Sequence, residues 1–165
     1  MRQGIIVFAD SAPAGSPAQA RLLATMEALR GVAEAVPFLA YADAQHTQTL
    51  RDLVGGPPPR FFPQANRPQL GERLAQAFAF LFIQDYERVV LLTEQFEPRR
   101  AEEIQQALQA LSEAACCIEE RNGAYMVAVR RADFPLVAPI FDEVRWDRPG
   151  AKSEADALLA AASDT

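Results

Sequence analysis

The chain has 165 residues, of which 50% are hydrophobic and 23% charged, a composition that fits one folded domain with a continuous core and excludes a disordered chain. Its formal net charge of −6 at pH 7 repels phosphate backbones and anionic headgroups, which argues against nucleic acid and membrane as partners. The pairs Arg99-Arg100 and Arg130-Arg131 are too short to form a basic patch.

The apolar run at residues 4–9 is too short for a signal-peptide core or a membrane span and reads as a strand buried on both faces. Residues 11–17, small and rich in proline, form a loop. Leu22, Leu23, Met26 and Leu29 recur at helical spacing, and Gly31 is expected to supply the stop. Residues 35–41 make a second apolar strand, so the first crossover gives a parallel pair. A polar helix is expected over residues 43–54, then a stiff Gly-Pro connection over 55–59. Residues 60–64 suit a short edge strand, because Pro63 would break a central one.

Leu70, Leu74, Ala77, Phe78, Leu81 and Phe82 line one face of the strongest amphipathic helix. Residues 88–92 form a central strand, Ile104, Ala107, Leu108 and Leu111 mark another helix, and residues 114–118 another strand. Asn122-Gly123 signals a turn into a strand at 124–129, so these last two strands form a hairpin and the sheet is mixed. A short helix and irregular segments are expected from 132 to 147, and a helix from 154 to 162, with 163–165 frayed. The whole chain, residues 1–165, reads as a single α/β domain.

Cys116 and Cys117 are the only cysteines. Adjacent strand residues point to opposite faces, so the two are expected as reduced, buried thiols in a cytoplasmic protein.

Ligands of open α/β sheets sit beyond the carboxyl ends of the parallel strands, which directs attention to Asp10, to residues 93–97 and to residues 119–121. His46 is the only histidine, which excludes histidine-rich metal sites and serine–histidine triads. No Walker loop or dinucleotide glycine pattern follows the first strand. Asp85-Tyr86-Glu87 is spaced as a carboxylate pair, but it precedes its strand and reads as a solvated turn. Asp142-Glu143 reads as surface in a C-terminal loop.

Five segments, in order, carry a resemblance. Phe8-Ala9-Asp10, Gly15 and Arg21-Leu22 resemble F-A-K-x-P-x-x-G-x-x-K-T-R-L. Leu70-Gly71-Glu72-Arg73-Leu74 resembles G-x-L-G-E-R-[LM], and Val89-Val90-Leu91-Leu92-Thr93-Glu94-Gln95 resembles V-V-L-I-G-S-D-C-P. Residues 121–129 resemble D-G-G-Y-Y-L-I-G-L, and residues 144–148 resemble I-P-W-S-T. Together they make the chain similar to a bacterial glycosyltransferase-A-like family, the arsenosugar-biosynthesis glycosyltransferases, over residues 4 to about 149. The resemblance implies a Rossmann-like three-layer sandwich with a mixed, mostly parallel sheet, and a nucleotide-diphospho-sugar as partner. It implies nucleotide contacts at Asp10, Gly15, Arg21, Gly71, Glu72 and Arg73, and an acceptor pocket around Arg121, Tyr125 and Trp146.

The departures bear on activity. The family's lysine-threonine pair is Gln19-Ala20 here, and its two loop aspartates align with Gln95 and Arg121. A magnesium or manganese ion wants anionic oxygen ligands, which an amide and a guanidinium do not supply. Glu94 or Glu97 could take over the metal position, or Arg21, Arg73 and Arg121 could neutralise a diphosphate directly. Against the arginines, Asp10, Glu94, Glu119 and Glu120 are acids of the same rim. The expectation is a transferase-like protein with a degenerate metal and diphosphate site and little or no glycosyl transfer. The alternatives are an active transferase rebuilt around Glu94 or Glu97 with Mg or Mn, and a non-catalytic binding or regulatory partner; a homodimer is left open.

Overall fold

The structure, a computed structural model, describes residues 1–9, 15–42, 51–52, 59–98 and 100–163. Within them run β1 (Gln3–Ala9), α1 (Pro17–Leu29), β2 (Ala35–Tyr41), β3 (Arg60–Pro63), α2 (Leu70–Phe82) and β4 (Arg88–Leu92). Then come α3 (Ala101–Ala110), β5 (Cys116–Arg121), β6 (Ala124–Arg130), α4 (Phe134–Glu143) and α5 (Ala151–Ser163). The strands form one sheet in the order β3-β2-β1-β4-β6-β5. β1 is parallel to β2 and β4, and β2 is parallel to β3. β6 runs antiparallel to both β4 and β5, so the sheet is mixed as the short β5–β6 connection requires.

Strand alternation builds two cores. Ile6, Phe8, Val89, Leu91, Val127 and Val129 meet Leu74, Phe78, Leu81, Val137, Phe141 and Ala155 from α2, α4 and α5. On the other face Ile5, Val7, Val90, Leu92 and Ala128 meet Leu22, Met26, Ile104 and Leu108 from α1 and α3. Each central strand is covered on both sides, which is why it reads as an unbroken apolar run. α2 carries the largest share of aromatic packing. Phe78 lies 6.0 Å from Phe82 and 5.8 Å from Phe141, both stacked, and Phe82 lies 5.1 Å from Phe134.

The β5–β6 connection is the hairpin anticipated, closed by a turn of two residues. Arg121 pairs with Ala124 across it, and Asn122 and Gly123 both take positive φ, 50° and 79°, the geometry that lets a tight hairpin follow the sheet twist. β5 is longer than expected, running to Arg121 because the ladder continues to the turn.

Gly31 does not act as a left-handed stop. Arg30 remains in the right-handed region and amides 30, 31 and 32 bond back to the carbonyls of Glu27, Ala28 and Leu29. The left-handed residue is Glu34, with φ 62°. Gly31 is small because α3 approaches it: a Cβ there would lie 2.9 Å from Cβ of Ala101.

Three further expectations change. Tyr86 is buried, not solvated; its ring meets Phe38 edge-on at 5.4 Å and Arg2 Nη2 donates to its hydroxyl at 3.0 Å. Its neighbours Asp85 and Glu87 pair with Arg131 at 3.2 and 3.5 Å. Asp142 and Glu143 end helix α4 instead of lying in a loop. The expected helix at 43–54 lies outside the described residues except for 51–52, which are helical, and His46 and Arg99 lie outside them altogether. No helix among the described residues is long and apolar enough to cross a membrane.

Cys116 and Cys117 are free thiols, each partly buried, on opposite core faces. Burial, and then the charge of neighbouring groups, pushes both thiols above the ordinary value. The thiolate is the reactive form, so iodoacetamide at pH 8 should alkylate the native protein more slowly than the urea-unfolded chain by about a factor of ten or more. Equal rates, read by mass spectrometry, would contradict this.

A second prediction concerns the aromatic core. Phe78→Ala should lower the unfolding free energy by about 3–5 kcal/mol. Ile83→Ser, at a position 81% exposed, should change it by no more than about 0.5 kcal/mol. Urea titration of the two variants makes the comparison.

Candidate functional site

Parallel strands β1, β2, β3 and β4 end at one rim, where their last carbonyls need partners. Gln64, just past β3, bonds those at the ends of β1 and β2, where the Ala9 carbonyl also accepts from the Ala42 amide at 3.2 Å. Its Nε2 donates to the carbonyl of Ala40 at 2.9 Å and to that of Ala9 at 3.4 Å, while its amide nitrogen donates to Tyr41. Its remaining oxygen accepts from Arg73 Nη1 at 3.2 Å. Arg73 rises from the first turn of α2, bonds Glu94 Oε1 from the same nitrogen at 3.3 Å, and holds its guanidinium 6.0 Å from the ring of Phe8. Arg73, Glu94 and Gln64 therefore form one partly buried network across α2, β3 and the segment after β4.

Two spaces flank this network. A crevice of about 50 Å³ is lined by Phe8, Ala9, Arg21, Thr25, Thr93 and Glu94, among others. A cleft of about 610 Å³ is lined by Gln69, Arg73, Tyr125, Arg145, Trp146 and Asp147, among others. Arg73 lines the cleft, and its partner Glu94 lines the crevice.

Of the nucleotide-binding candidates, Arg21 and Arg73 reach the crevice region. Arg21 Nε sits 3.8 Å from Glu97 Oε1. Gly15, with φ 78°, precedes the α1 cap, where Ser16 Oγ accepts from the amide of Gln19 at 3.2 Å and Gln19 Oε1 accepts from the amide of Gly15. Asp10 lies outside the described residues. Glu72 points to a different surface, pairing with Arg67 at 3.8 Å. Gly71 is buried where α2 crosses the end of α4: a Cβ there would lie 2.0 Å from the carbonyl oxygen of Phe141. That carbonyl already accepts from Trp146 Nε1 at 3.0 Å. The metal candidates part as well. Glu94 faces the crevice beside Arg73, while Glu97 is exposed and pairs with Arg21.

The acceptor-pocket residues do not come together. Tyr125 and Trp146 pack edge-on at 5.0 Å, the Tyr125 hydroxyl donates to the Trp146 carbonyl at 3.0 Å, and both line the large cleft. Burial pushes the Tyr125 phenol above its ordinary value. Arg121 instead turns to the α3 face of the sheet, because strand alternation sets it and Tyr125 on opposite sides. There it bonds Glu103 and, at 2.8 Å, Glu119, donates to the Glu97 carbonyl at 3.1 Å, and lies 5.1 Å from the Phe96 ring. The hydrogen bond to Glu103, with Glu119 adding to it, holds its guanidinium above the ordinary value. Glu119 accordingly faces α3 and not the crevice.

Two contributors have no assigned role in the sequence reading, though Gln64 closes the expected edge strand and Thr93 opens the segment 93–97 to which the strand ends pointed. Gln64 could have been found, since the rule about strand ends applies to β3 as well as to β1 and β4. Thr93 is buried and ties two strands: its amide donates to the Tyr125 carbonyl at 3.0 Å and its Oγ1 accepts from the Tyr125 amide at 2.8 Å. Its role depends on the register of β6, which no local pattern reveals.

This arrangement of strands, helices and rim is the fold of nucleotide-diphospho-sugar transferase-like proteins. The crystal structure of a "putative nucleotide-diphospho-sugar transferase" from Desulfovibrio desulfuricans G20 superposes with a TM-score of 0.79 at 22% identity, covering 99% of this chain and 78% of that one. A 4-diphosphocytidyl-2C-methyl-D-erythritol synthase from Anaerococcus prevotii DSM 20548 superposes with a TM-score of 0.60 at 12% identity, over 86% of this chain and 75% of that one. A cytidylyltransferase from Leptospira borgpetersenii gives 0.57 at 13% identity, over 99% and 72%. No curated protein matches the sequence. The chain belongs to the DUF2064 family, described as uncharacterized proteins conserved in bacteria, through residues 25–148. What it shares with these structures is the fold.

The packing of Gly71 gives a test independent of ligand. Gly71→Ala forces a methyl against backbone and should destabilise the fold by about 1–3 kcal/mol, which lowers the melting temperature by roughly 2–4 °C per kcal/mol. A circular-dichroism melt with an unchanged midpoint would contradict this.

Proposed function

We propose that the protein is a nucleotide-diphospho-sugar transferase-like domain whose rim takes a nucleotide-bearing ligand without efficient, metal-dependent glycosyl transfer. The observation that carries this reading is the Arg73–Glu94 pair, with side chains 23% and 16% exposed. Glu94 is one of the two carboxylates that the resemblance offers for the metal position, and an arginine already bonds it.

The donor set fits a magnesium or manganese ion poorly. A hard divalent cation needs several oxygens, preferably anionic. Among the described residues no three Asp, Glu, His or Cys side chains gather as a candidate metal site. Glu94 and Glu97, the two acids from which a rebuilt site would be made, are each paired to an arginine. Gln95 follows Glu94 with a positive φ of 69° and is exposed. Arg121 is committed to Glu103 and Glu119 on the other face. No catalytic step is therefore routed through a cation.

What the residues present can do is bind. Arg73 and Arg21 offer guanidinium donors to phosphate oxygens. The cleft of about 610 Å³ beside Arg73 is within the size range of small-molecule sites, and its edge carries the Tyr125–Trp146 pair. Polar and charged groups at Gln69, Asp142, Glu143, Arg145 and Asp147 suit hydroxyl-rich ligands more than apolar ones.

Incubating the purified protein with uridine, guanosine, cytidine and thymidine diphospho-sugars, each with magnesium or manganese and a panel of acceptors, tests the reading. Sugar release should stay at the hydrolysis background in every combination. Turnover well above background that depends on the metal would overturn it.

A further inference from the structure

Arg73 uses its donors unevenly. Nη1 serves both Gln64 Oε1 and Glu94 Oε1, at 3.2 and 3.3 Å, whereas Nε is buried and has no hydrogen-bond partner among the described residues. Arg21, from α1, approaches the same crevice, and its Nε is also buried without a hydrogen bond. Glu97, at 3.8 Å, is within ion-pair range only. A buried donor left unmade costs on the order of 1–3 kcal/mol, and folded proteins keep few of them. One such nitrogen belongs to an arginine that lines the crevice, the other to the arginine bonded to Glu94, which lines it too.

An arginine binds a carboxylate or phosphate best through two parallel N–H groups of its planar fork. Glu94 and Gln64 share Arg73 Nη1, and Nε makes no hydrogen bond among the described residues. A single carboxylate therefore fills part of a site that has more donors than it can satisfy. A diphosphate has more oxygens and more charge.

We propose that Glu94 acts as an internal anion, occupying part of a two-arginine site that a diphosphate group takes over by displacing the carboxylate, with no divalent cation. Arg73 exchanges Glu94 for a phosphate oxygen through a bidentate edge, Arg21 engages a second oxygen, and Gln64 keeps Arg73 in place through both states. Glu94 is in this sense autoinhibitory: it neutralises Arg73 when the site is empty and competes with the incoming anion. The inference rests on the proposed ligand class and adds the way that ligand is held and restrained. The shared chemistry is a phosphoanhydride, supplied by either a nucleoside diphosphate or free pyrophosphate. The cleft that Arg73 lines favours the nucleotide.

Isothermal titration calorimetry in EDTA tests this, using pyrophosphate and, separately, uridine, guanosine, cytidine and thymidine diphosphates. Glu94→Gln should bind at least one of them about tenfold more tightly than the unaltered protein, the expected gain when a competing charge is removed. Arg73→Gln should abolish the binding, and Arg73→Lys, which keeps the charge and loses the fork, should weaken it about tenfold or more. Circular dichroism checks that each variant is folded, and the Arg73→Lys comparison stands if Glu94→Gln is not. A nucleotide preferred over pyrophosphate identifies the nucleotide as ligand, and equal affinities identify the free anion; both support the exchange. The proposal is overturned if Glu94→Gln binds no more tightly, if Arg73→Lys binds as well as arginine, if binding requires manganese, or if no variant binds any of these anions. Metal-dependent sugar transfer by the unaltered protein would defeat the proposed function, whereas a failure to tighten in EDTA defeats this inference alone.

Discussion

Four parallel strands ending side by side leave a row of carbonyls, and the rest of the rim is organised by how these are satisfied. For two of the strands Gln64 contributes with one amide, bridging the ends of β1 and β2 from beyond β3. That placement fixes its oxygen, and the oxygen fixes Arg73. Arg73 in turn fixes Glu94. Each step follows from the unfavourable cost of an unpaired polar group in a partly dry space. The geometry of the site is thus a consequence of backbone bookkeeping at the sheet edge before it is a matter of ligand chemistry.

The arginines near the rim are set in a protein that is acidic overall. The formal charge of −6 describes the molecule as a whole, yet near the rim the guanidinium groups are held by identifiable carboxylates: Arg73 by Glu94, Arg21 by Glu97, Arg121 by Glu103 and Glu119. These pairs differ in exposure. Arg21 and Glu97 are open to water, where an ion pair contributes little. Arg73 with Glu94, and Arg121 with Glu103, are more enclosed, so breaking one partner away leaves a charge that solvent compensates less well.

The fold was largely legible because its signals are periodic. The apolar runs of β1, β2 and β4 and the stripe of α2 each announce an element, and Asn122-Gly123 announces the hairpin that makes the sheet mixed. What escaped depends on contacts between distant segments. Gly31 looks like a helix stop in the sequence, but its smallness serves Ala101, seventy residues later. Tyr86 sits between two acids and still enters the core, since Phe38 and Arg2 are there to receive it. The candidate site was legible only as a set of residues. Strand parity separates Arg121 from Tyr125, and the departures at Gln95 and Arg121 could be seen as departures without revealing that Arg121 is bound on the opposite face.

Thr93 and Tyr125 exchange hydrogen bonds at the point where β4 gives way to the segment bearing Glu94, and the hydroxyl of Tyr125 continues the connection to the backbone of Trp146. The chain of bonds runs from the narrow crevice to the far bank of the wide cleft. It ties the end of β4 to the backbone of Trp146 through a single tyrosine, so one side chain braces a wall of each compartment.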